Sequence, residues 1–331
     1  MMDQGFRSFK EQTLHYFDRP HDGAATKPID SPAAWVGKTM PKLEEMAYRL
    51  DADEVAELDA ALAHAKQTGK PRKNMLAADF PLPRLAPHIA KWQATLKDGL
   101  GLQVIRGVPV TRWSEDEAEL FFWCLGLHLG RPGGQNREEE LLGHVRDTHV
   151  KKTDPIVRLY QTAENIDFHC DTADVVGLLC LKKAKSGGKS RIVSSISAFN
   201  RLLEREPALA ARLFEPFFLD KRNDSKGVGT RAVPISPCRF ADGKLRTFYH
   251  ADYFRSATRH AEVPDFTPLE RKCLDLYEAI ANDPDLYLDM DLEPGDIQLL
   301  SNHTNLHART EYEDGDDPAE RRHLLRLWLS L

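Results

Sequence analysis

The chain has 331 residues, of which 41% are hydrophobic and 29% charged, so it can bury a sizeable core and has the composition of a soluble globular protein. Its net charge of -6 argues against a general nucleic-acid binder, which would normally be basic. No apolar run approaches the roughly 20 residues needed to cross a bilayer, and the amino-terminal residues contain no apolar signal core. We therefore expect a cytoplasmic protein that binds neither nucleic acid nor membranes.

The cysteines support the expected cytoplasmic location. They are odd in number and show no CxxC spacing, which is typical of reduced thiols rather than of a disulfide framework or a zinc site. The five cysteines are Cys124, Cys170, Cys180, Cys238 and Cys273.

The first third of the chain reads as an arm followed by helices. Residues 1–40 are rich in Pro, Asp and Gly and are expected to form a loosely structured arm, whereas 41–331 should form one domain. Apolar residues at helical spacing predict helices over 53–66 and 83–96. A strand is expected over 102–110. A further helix should begin at Ser114, which forms a Ser-x-x-Glu capping box with Glu117.

From Val157 onward the sequence changes to short apolar runs bounded by turn residues, which predict strands. These runs lie at 175–181, 191–195, 285–292, 297–300 and 323–331. Two helices, expected over 197–213 and 268–281, interrupt them. Short strands with inserted helices favour a double-stranded β-helix, or jelly-roll, core over a parallel βαβ sheet. The predicted fold is therefore mainly β with flanking helices, an α+β arrangement.

The segment Phe168-His169-Cys170-Asp171 carries the most informative motif. On a strand, residues i and i+2 point to the same side, so His169 and Asp171 can converge on one metal ion. His307 is the best candidate for a third ligand. The three would form the two-His-one-carboxylate facial triad, which leaves coordination positions open for substrate and oxygen chemistry.

A second His-x-Asp pair, His250-Ala251-Asp252, is an alternative that the sequence leaves open. An isolated motif of this kind is a weak signal. We favour the first pair because the helix expected over 268–281 leaves too little chain after Asp252 for the remaining barrel strands. A glycine turn that ends in the hydroxyl residue Ser190 also follows the first pair.

Two arginines lie on the last predicted strand. Arg322 and Arg326 are separated by an even offset, so both are expected to face the barrel interior, about 13 Å apart at ~3.3 Å per residue. A buried guanidinium is suited to bidentate pairing with a carboxylate. At that separation the two arginines are expected to serve different anionic groups.

The order of these motifs resembles the taurine dioxygenase (TauD/TfdA) family, which includes clavaminate-synthase-like enzymes. The resemblance covers roughly residues 100–331 and rests on His169-x-Asp171, Gly187-Gly188-x-Ser190, Asn302 with His307 five residues on, Arg322 and Arg326. It implies an Fe(II)- and 2-oxoglutarate-dependent oxygenase that uses O2 and hydroxylates a small polar, amino-acid-like or anionic substrate, releasing succinate and CO2.

The resemblance also implies residue roles. His169, Asp171 and His307 would hold the iron. Arg322 and Ser190 would bind the distal carboxylate of 2-oxoglutarate, although the family usually has Thr at the Ser190 position. The substrate-side positions of the family match Arg326 and Asn165. Apart from the resemblance, Arg158, Tyr160 and Arg255 are candidate substrate contacts that are equally well structural.

Several interpretations compete with these roles. Because halogenating members of the family lack the carboxylate ligand, Asp171 favours hydroxylation, with desaturation or ring formation left open. His303 is expected to lie in a loop beside the site, and Cys170 to pack away from the metal.

The rival functional class is a metal-binding jelly roll without oxygenase activity, or a metal-dependent hydrolase. In either, Ser190 and Arg322 would have no evident use. A homo-oligomer is possible.

Overall fold

The described part of the chain, residues 5–149, 159–222 and 230–331 of a computed structural model, combines helices with short strands. The helices are α1 (Phe9–Phe17), α2 (Leu43–Met46), α3 (Ala52–Gln67), α4 (Ala86–Asp98), α5 (Glu115–Leu129), α6 (Ser195–Arg205), α7 (Pro207–Arg212), α8 (Ala251–Ser256) and α9 (Pro268–Ala281). The strands are β1 (Tyr48–Arg49), β2 (Leu102–Arg106), β3 (Arg131–Pro132), β4 (Gly143–Val145), β5 (Ile166–His169), β6 (Val175–Lys182), β7 (Ser186–Gly187), β8 (Ser190–Ser194), β9 (Phe217–Asp220), β10 (Ala232–Ile235), β11 (Cys238–Ala241), β12 (Lys244–Thr247), β13 (Tyr287–Met290), β14 (Ile297–Ser301), β15 (Asn305–Arg309), β16 (Tyr312–Glu313) and β17 (His323–Ser330).

Two sheets form the centre of the fold. The larger has the order β1-β2-β14-β6-β17-β3, with β4 also pairing with β17, and the smaller has the order β13-β8-β15-β5. Their facing side chains share one apolar cluster, to which Val176 and Trp328 contribute from the larger sheet and Ile192 and Met290 from the smaller. This is the two-sheet arrangement that the jelly-roll prediction requires.

Helices cover the outer faces of both sheets. On the larger sheet, α4 and α5 bury residues such as Trp92 and Phe121 against Leu299. On the smaller sheet, α6 buries Phe199 against Val193. Because successive strand residues point to opposite faces, each central strand supplies side chains both to a helix layer and to the space between the sheets.

Most predicted elements are present, and two differ for local reasons. The capping box of Ser114 and Glu117 begins α5 as expected. The helix expected over 197–213 is two helices, since Glu206 precedes a proline, which disfavours helical backbone there. The strand expected over 102–110 ends at Arg106, because Gly107 adopts a φ of 99° and leaves the sheet.

Within residues 5–40, one helix departs from the loosely structured arm that the composition suggested. Ser8 and Glu11 form a capping box that begins α1. Tyr16, in its last turn, is 3% exposed and donates its hydroxyl to the carbonyl oxygens of Thr247 and Asn302. An aromatic residue with a buried hydroxyl partner anchors a segment that is otherwise polar.

A buried carboxylate, Asp174, also fastens this segment. Its oxygens accept hydrogen bonds from Arg19 at 2.8 Å and from the backbone N–H of Leu331 at 2.9 Å, and His303 lies at 2.7 Å. Burial would raise the pKa of Asp174, but these partners hold it well below its usual range. The carboxylate therefore joins the amino-terminal segment to the end of the chain.

No helix within residues 5–149, 159–222 and 230–331 is long and apolar enough to span a bilayer.

Candidate active site

Three side chains of the first His-x-Asp motif and of β15 meet at one edge of the smaller sheet. His169 ends β5, and β15 places His307 directly opposite it. Asp171 follows two residues after His169, as the motif predicted. One ligand atom from each of the three lies within 4.8 Å of the other two, and the two imidazole rings are 4.2 Å apart.

Neighbouring groups fix the orientation of these side chains. His169 Nδ1 lies 2.8 Å from the carbonyl oxygen of Asp167, which can only accept, so Nδ1 carries the proton and Nε2 keeps its lone pair. Trp328 Nε1 donates to Asp171 Oδ2 at 2.9 Å. The side-chain oxygen of Asn302 accepts a hydrogen bond from the backbone N–H of Asp171 at 3.1 Å. Such outer contacts are what orient metal ligands in proteins.

The charge state of the cluster suits a divalent cation. Burial would raise the pKa of Asp171, but Arg326, His307 and His169 lower it below the usual value, so the carboxylate is ionised. Burial, together with His169 and Arg326, lowers the pKa of His307 to about 3 against the opposing influence of Asp171. Two imidazoles and one carboxylate form a donor set that fits iron(II).

In the second His-x-Asp pair, only the histidine lies next to the triad. His250 forms a bridge with His169, and their rings are 5.1 Å apart, so this histidine borders the cluster. Asp252 lies in the first turn of α8 and is not among the groups of metal-ligand atoms found in the described residues. The geometry therefore favours the first pair and places His250 beside it.

A cavity of about 340 Å³ opens beside the triad. His169 and Asp171 form part of its wall. Much of the remaining wall is apolar, and three cationic side chains interrupt it: Arg137, Lys221 and Arg326. A pocket of this size and composition accommodates a small molecule held by a few polar contacts.

Arg326 is held firmly in this wall. Its Nε donates to Gln135 Oε1 at 2.7 Å, and Gln135 Nε2 donates in return to the Arg326 carbonyl oxygen at 2.8 Å. The guanidinium lies 4.4 Å from the ring centre of Tyr160 and 5.4 Å from that of Trp328. Tyr160, a candidate substrate contact, therefore does line the cavity, next to Arg326.

Arg322 lies in a different cluster. Its guanidinium and that of Arg309 each lie against the ring of Tyr312, at 5.0 and 4.8 Å. Ser190 is the strand partner of Arg309 across the β8–β15 pair, so their side chains share a face. Gly188 has a φ of 70°, and a Cβ there would lie 3.0 Å from Arg322 Nε, so the glycine turn leaves room for the guanidinium.

The Arg309–Arg322 cluster, defined by these two residues with Ser190 and Tyr312, carries unused hydrogen-bond donors. Arg309 Nε and Nη1 and Arg322 Nη1 are buried and have no hydrogen-bond partner among the described residues. Burial and the charge of Arg322 lower the pKa of Arg309 to about 10, and burial lowers that of Arg322. Arg309 Nη2 donates to the backbone carbonyl oxygens of Thr162 and Glu164. Buried guanidinium N–H groups without acceptors are costly, so the cluster is suited to an anion.

Two sequence-derived candidates do not reach the cavity. Asn165 is exposed and donates its side-chain amide to Asp167 at 2.8 Å. Arg255 forms ion pairs with Glu278 and Asp275 and is not part of the cavity wall. Arg158 lies outside the described residues.

Two further expectations about neighbouring residues agree with the contacts. His303 bonds to Asp174 and belongs to the buried carboxylate network, not to the triad. The Cys170 thiol points to the carbonyl oxygens of Thr247 and Asn305, away from the ligand cluster.

Some site residues were missed by sequence reasoning. Arg309 had a usable signal, since it lies two residues after His307 on one strand and so shares its face. Gln135 had none, because its contact with Arg326 joins distant parts of the chain.

Comparison with known proteins agrees with this geometry. The model of the taurine catabolism dioxygenase TauD, TfdA family matches residues 65–328. FR-33289 synthase of Streptomyces rubellomurinus is 30% identical over 311 residues, which cover 92% of this chain and 91% of that protein. A taurine hydroxylase-like protein of Stachybotrys chartarum is 28% identical over 309 residues, covering 90% of this chain and 79% of its own.

A solved structure shares the fold. Asparagine oxygenase, in complex with Fe(II), 2S,3S-3-hydroxyasparagine and succinate, superposes with a TM-score of 0.67 at 16% identity, covering 86% of this chain and 93% of its own. This likeness confirms the predicted jelly-roll class. The match to the family model is the basis for assigning the activity: the chain belongs to the TauD/TfdA family and is, as its sequence predicted, an iron(II)- and 2-oxoglutarate-dependent dioxygenase.

Proposed function

We propose that this dioxygenase hydroxylates a small anionic or amino-acid-like substrate, which it binds in the cavity beside His169, Asp171 and His307. The observation that carries the proposal is the convergence of these three side chains at a cavity of about 340 Å³ whose wall contains the fixed guanidinium of Arg326. His169, Asp171 and His307 would hold the iron.

The bound iron and 2-oxoglutarate would supply the oxidising chemistry that transfers an oxygen atom from O2 to a C–H bond, with release of succinate and CO2. The protein orients the ligands of the metal. The Asp167 carbonyl sets the His169 tautomer, and Trp328 and Asn302 fix the position of Asp171.

The Arg309–Arg322 cluster would receive the distal carboxylate of 2-oxoglutarate. His307 and Arg309 share a face of β15 and are about 7 Å apart along it at ~3.3 Å per residue, a separation comparable with the length of a five-carbon dicarboxylate. The unpaired donors of Arg309 and Arg322 can each form a charge-assisted hydrogen bond to carboxylate oxygens. The Ser190 hydroxyl lies on the same face and can donate another.

The cationic side of the cavity indicates what the prime substrate carries. Arg326, Arg137 and Lys221 line the cavity. Of the two acidic lining residues, Asp171 would be neutralised by the metal and Asp220 is paired with Arg259 and His260. An anionic group on the substrate would therefore lie near Arg326, and its carbon skeleton against the apolar wall. Asparagine oxygenase and the taurine hydroxylase-like protein bear names that indicate small polar substrates, which agrees with this size and charge.

The reaction outcome is proposed to be hydroxylation. Asp171 keeps a carboxylate where halogenating relatives leave a position for chloride. Desaturation and ring formation give products without the added oxygen, so the mass of the product separates them from hydroxylation.

The test is succinate release from 2-oxoglutarate with Fe(II) and O2, screened over amino acids, sulfonates and small carboxylates. We expect one class to raise succinate formation above the rate without prime substrate and to gain one oxygen atom, as measured by mass spectrometry. Asp171→Ala should abolish both signals. Succinate formation that is equal in the wild type and in Asp171→Ala would contradict the proposed iron site.

We also propose that the protein is located in the cytoplasm. All five cysteines are free thiols and buried, as expected for a protein of a reducing compartment. Homo-oligomerisation and the lack of nucleic-acid and membrane partners stay predictions, for which size-exclusion chromatography and binding assays are the measurements.

A further inference from the structure

A second cluster of metal-ligating side chains lies where the first turn of α5 meets β4 and β17. Glu115 and Glu119 belong to α5, His144 to β4 and His323 to the start of β17. The antiparallel pairing of β17 with β4 places Leu325 opposite His144, so His323 is its diagonal neighbour. None of these four residues belongs to the triad or to the cavity wall.

The donor atoms of three of these residues are already close together. His144 Nδ1 and His323 Nε2 are 2.9 Å apart. The Glu115 carboxylate spans the two rings, with one oxygen 3.8 Å from His144 Nδ1 and the other 3.8 Å from His323 Nδ1. One ligand atom from each of Glu115, His144 and His323 lies within 4.8 Å of the other two, as in the triad.

The surroundings of His144 resemble those of a metal ligand. Its other ring nitrogen, Nε2, faces Glu119 Oε1 at 3.6 Å, and Glu119 is itself paired with Arg72. Metal-ligating histidines commonly direct their outer N–H to a carboxylate, which fixes the tautomer that presents a lone pair to the ion. Glu119 would have this role, since the proton on Nε2 leaves Nδ1 free to bind.

We propose that Glu115, His144 and His323 bind a divalent transition-metal ion, with zinc as the ion to test. Two imidazoles and a carboxylate form a donor set that zinc accepts in proteins. The ion would replace the hydrogen bond between the two rings. His323, whose Nε2 donates that bond when His144 carries its proton on Nε2, would move its proton to the outer nitrogen Nδ1, so that both inner nitrogens present a lone pair.

The cluster is open to solvent on one side. The side chain of Glu115 is 50% exposed and that of His144 28%, whereas His323 is 8% exposed. An ion can thus enter past Glu115 and reach the buried imidazole, which is the entry path that a metal site needs. Because His323 directly follows Arg322, the ion would also fasten the start of β17 to α5 beside the Arg309–Arg322 cluster.

The experiment separates this site from the proposed iron site. Full-length His169→Ala/His307→Ala protein, freed of metal with a chelator, is dialysed against Zn²⁺, and bound zinc is counted by mass spectrometry. We expect one zinc per chain in this background and none when Glu115→Gln and His144→Ala are added. If the iron-site assignment is wrong, the background binds a further ion, and the second-site substitutions still remove one.

Two comparisons test whether the effect is specific. His64→Ala in the same background removes an exposed histidine on α3 and should leave the zinc count unchanged. Glu119→Gln should raise the zinc dissociation constant about 10- to 100-fold without removing the site. Zinc should raise the unfolding temperature of the background but not that of the protein with Glu115→Gln and His144→Ala. A zinc count that these two substitutions leave unchanged, or a background that binds no zinc, overturns the proposal.

Discussion

Arg322→Met gives the most informative test of the co-substrate site, because it should change the ligand-free and ligand-bound states in opposite directions. In the ligand-free protein the Arg322 guanidinium is buried, lies close to the Arg309 guanidinium, and has an Nη1 without a partner among the described residues. Methionine keeps a long, flexible side chain and removes the charge. Its backbone N–H still donates to Asp314.

The expected magnitudes follow from this arrangement. Losing one partner of a buried charged pair costs about 2–5 kcal/mol, and Arg309 stays to bind part of the carboxylate. A loss of about 2–3 kcal/mol, near the lower end, corresponds to a ~30- to 150-fold increase in the dissociation constant for 2-oxoglutarate. Replacing a buried, unpaired cation by an apolar side chain should leave the ligand-free protein as stable as before or stabilise it by about 1–2 kcal/mol.

Two measurements are needed. Anaerobic calorimetry gives the 2-oxoglutarate dissociation constant of the metal-loaded protein, and urea unfolding without ligands gives the stability. Lys189→Met is a matched control, since it removes an exposed cation from the neighbouring turn and should change neither value. If Arg322→Met destabilised the ligand-free protein and left 2-oxoglutarate binding unchanged, Arg322 would be structural and the anion site would have to lie elsewhere.

Three further predictions concern the substrate, the metal and the fold. Arg326→Met should spare 2-oxoglutarate binding and the succinate formation that occurs without prime substrate. It should lower coupled oxidation at least tens of fold, because about 2–5 kcal/mol of substrate-binding energy is lost. If 2-oxoglutarate binding were impaired instead, the two arginines would have exchanged roles. His307→Ala should abolish iron binding measured by equilibrium dialysis, whereas His303→Ala and Asp252→Ala should retain it, and the reverse pattern would refute the ligand assignment. Asp174→Asn should lower the free energy of unfolding at neutral pH by about 3–5 kcal/mol, because it leaves buried donors and a cation without their partner.

The stability contribution of Asp174 has a defined pH dependence. Its folded pKa lies below the unfolded value of about 3.9, so the native state favours the ionised form. The contribution is complete above that unfolded pKa and is lost as the pH falls towards the folded pKa. Urea unfolding should therefore show a difference between wild type and Asp174→Asn that is constant near neutrality and shrinks in acid. A difference that grew in acid would contradict this reasoning.

Local signals made much of the fold predictable. The capping box that begins α5 lies within four residues of sequence, and it marks the helix start correctly. The spacing of His169 and Asp171 needed only the side-chain alternation of an extended chain. These features depend on short-range geometry, which a single sequence contains.

Long-range contacts limited the prediction of the site. Gln135 meets Arg326 across 191 positions of sequence, and an isolated bridge brings His250, from the other His-x-Asp pair, next to His169. The burial of Tyr16 similarly depends on acceptors more than 200 residues away, although the Ser8–Glu11 capping box that begins its helix is a local signal that composition alone overlooks.

The two arginines of the last strand show how much the spacing of residues along a strand can predict. The even offset of Arg322 and Arg326 predicted one shared face and a separation set by length alone. In the structure Arg322 directly precedes β17. The pairing with β6 shifts between His323, which pairs with Lys182, and Leu324, which pairs with Cys180, so the extra residue of this irregularity lies in β6. Arg326 and Trp328 share a face, and together they link the cavity wall to Asp171. Arg322 contacts the ring of Tyr312 instead. Because the pairing with β6 from Leu324 onward holds Arg326, inserting or deleting one residue before Leu324 should disturb Arg322 while leaving Arg326 in place.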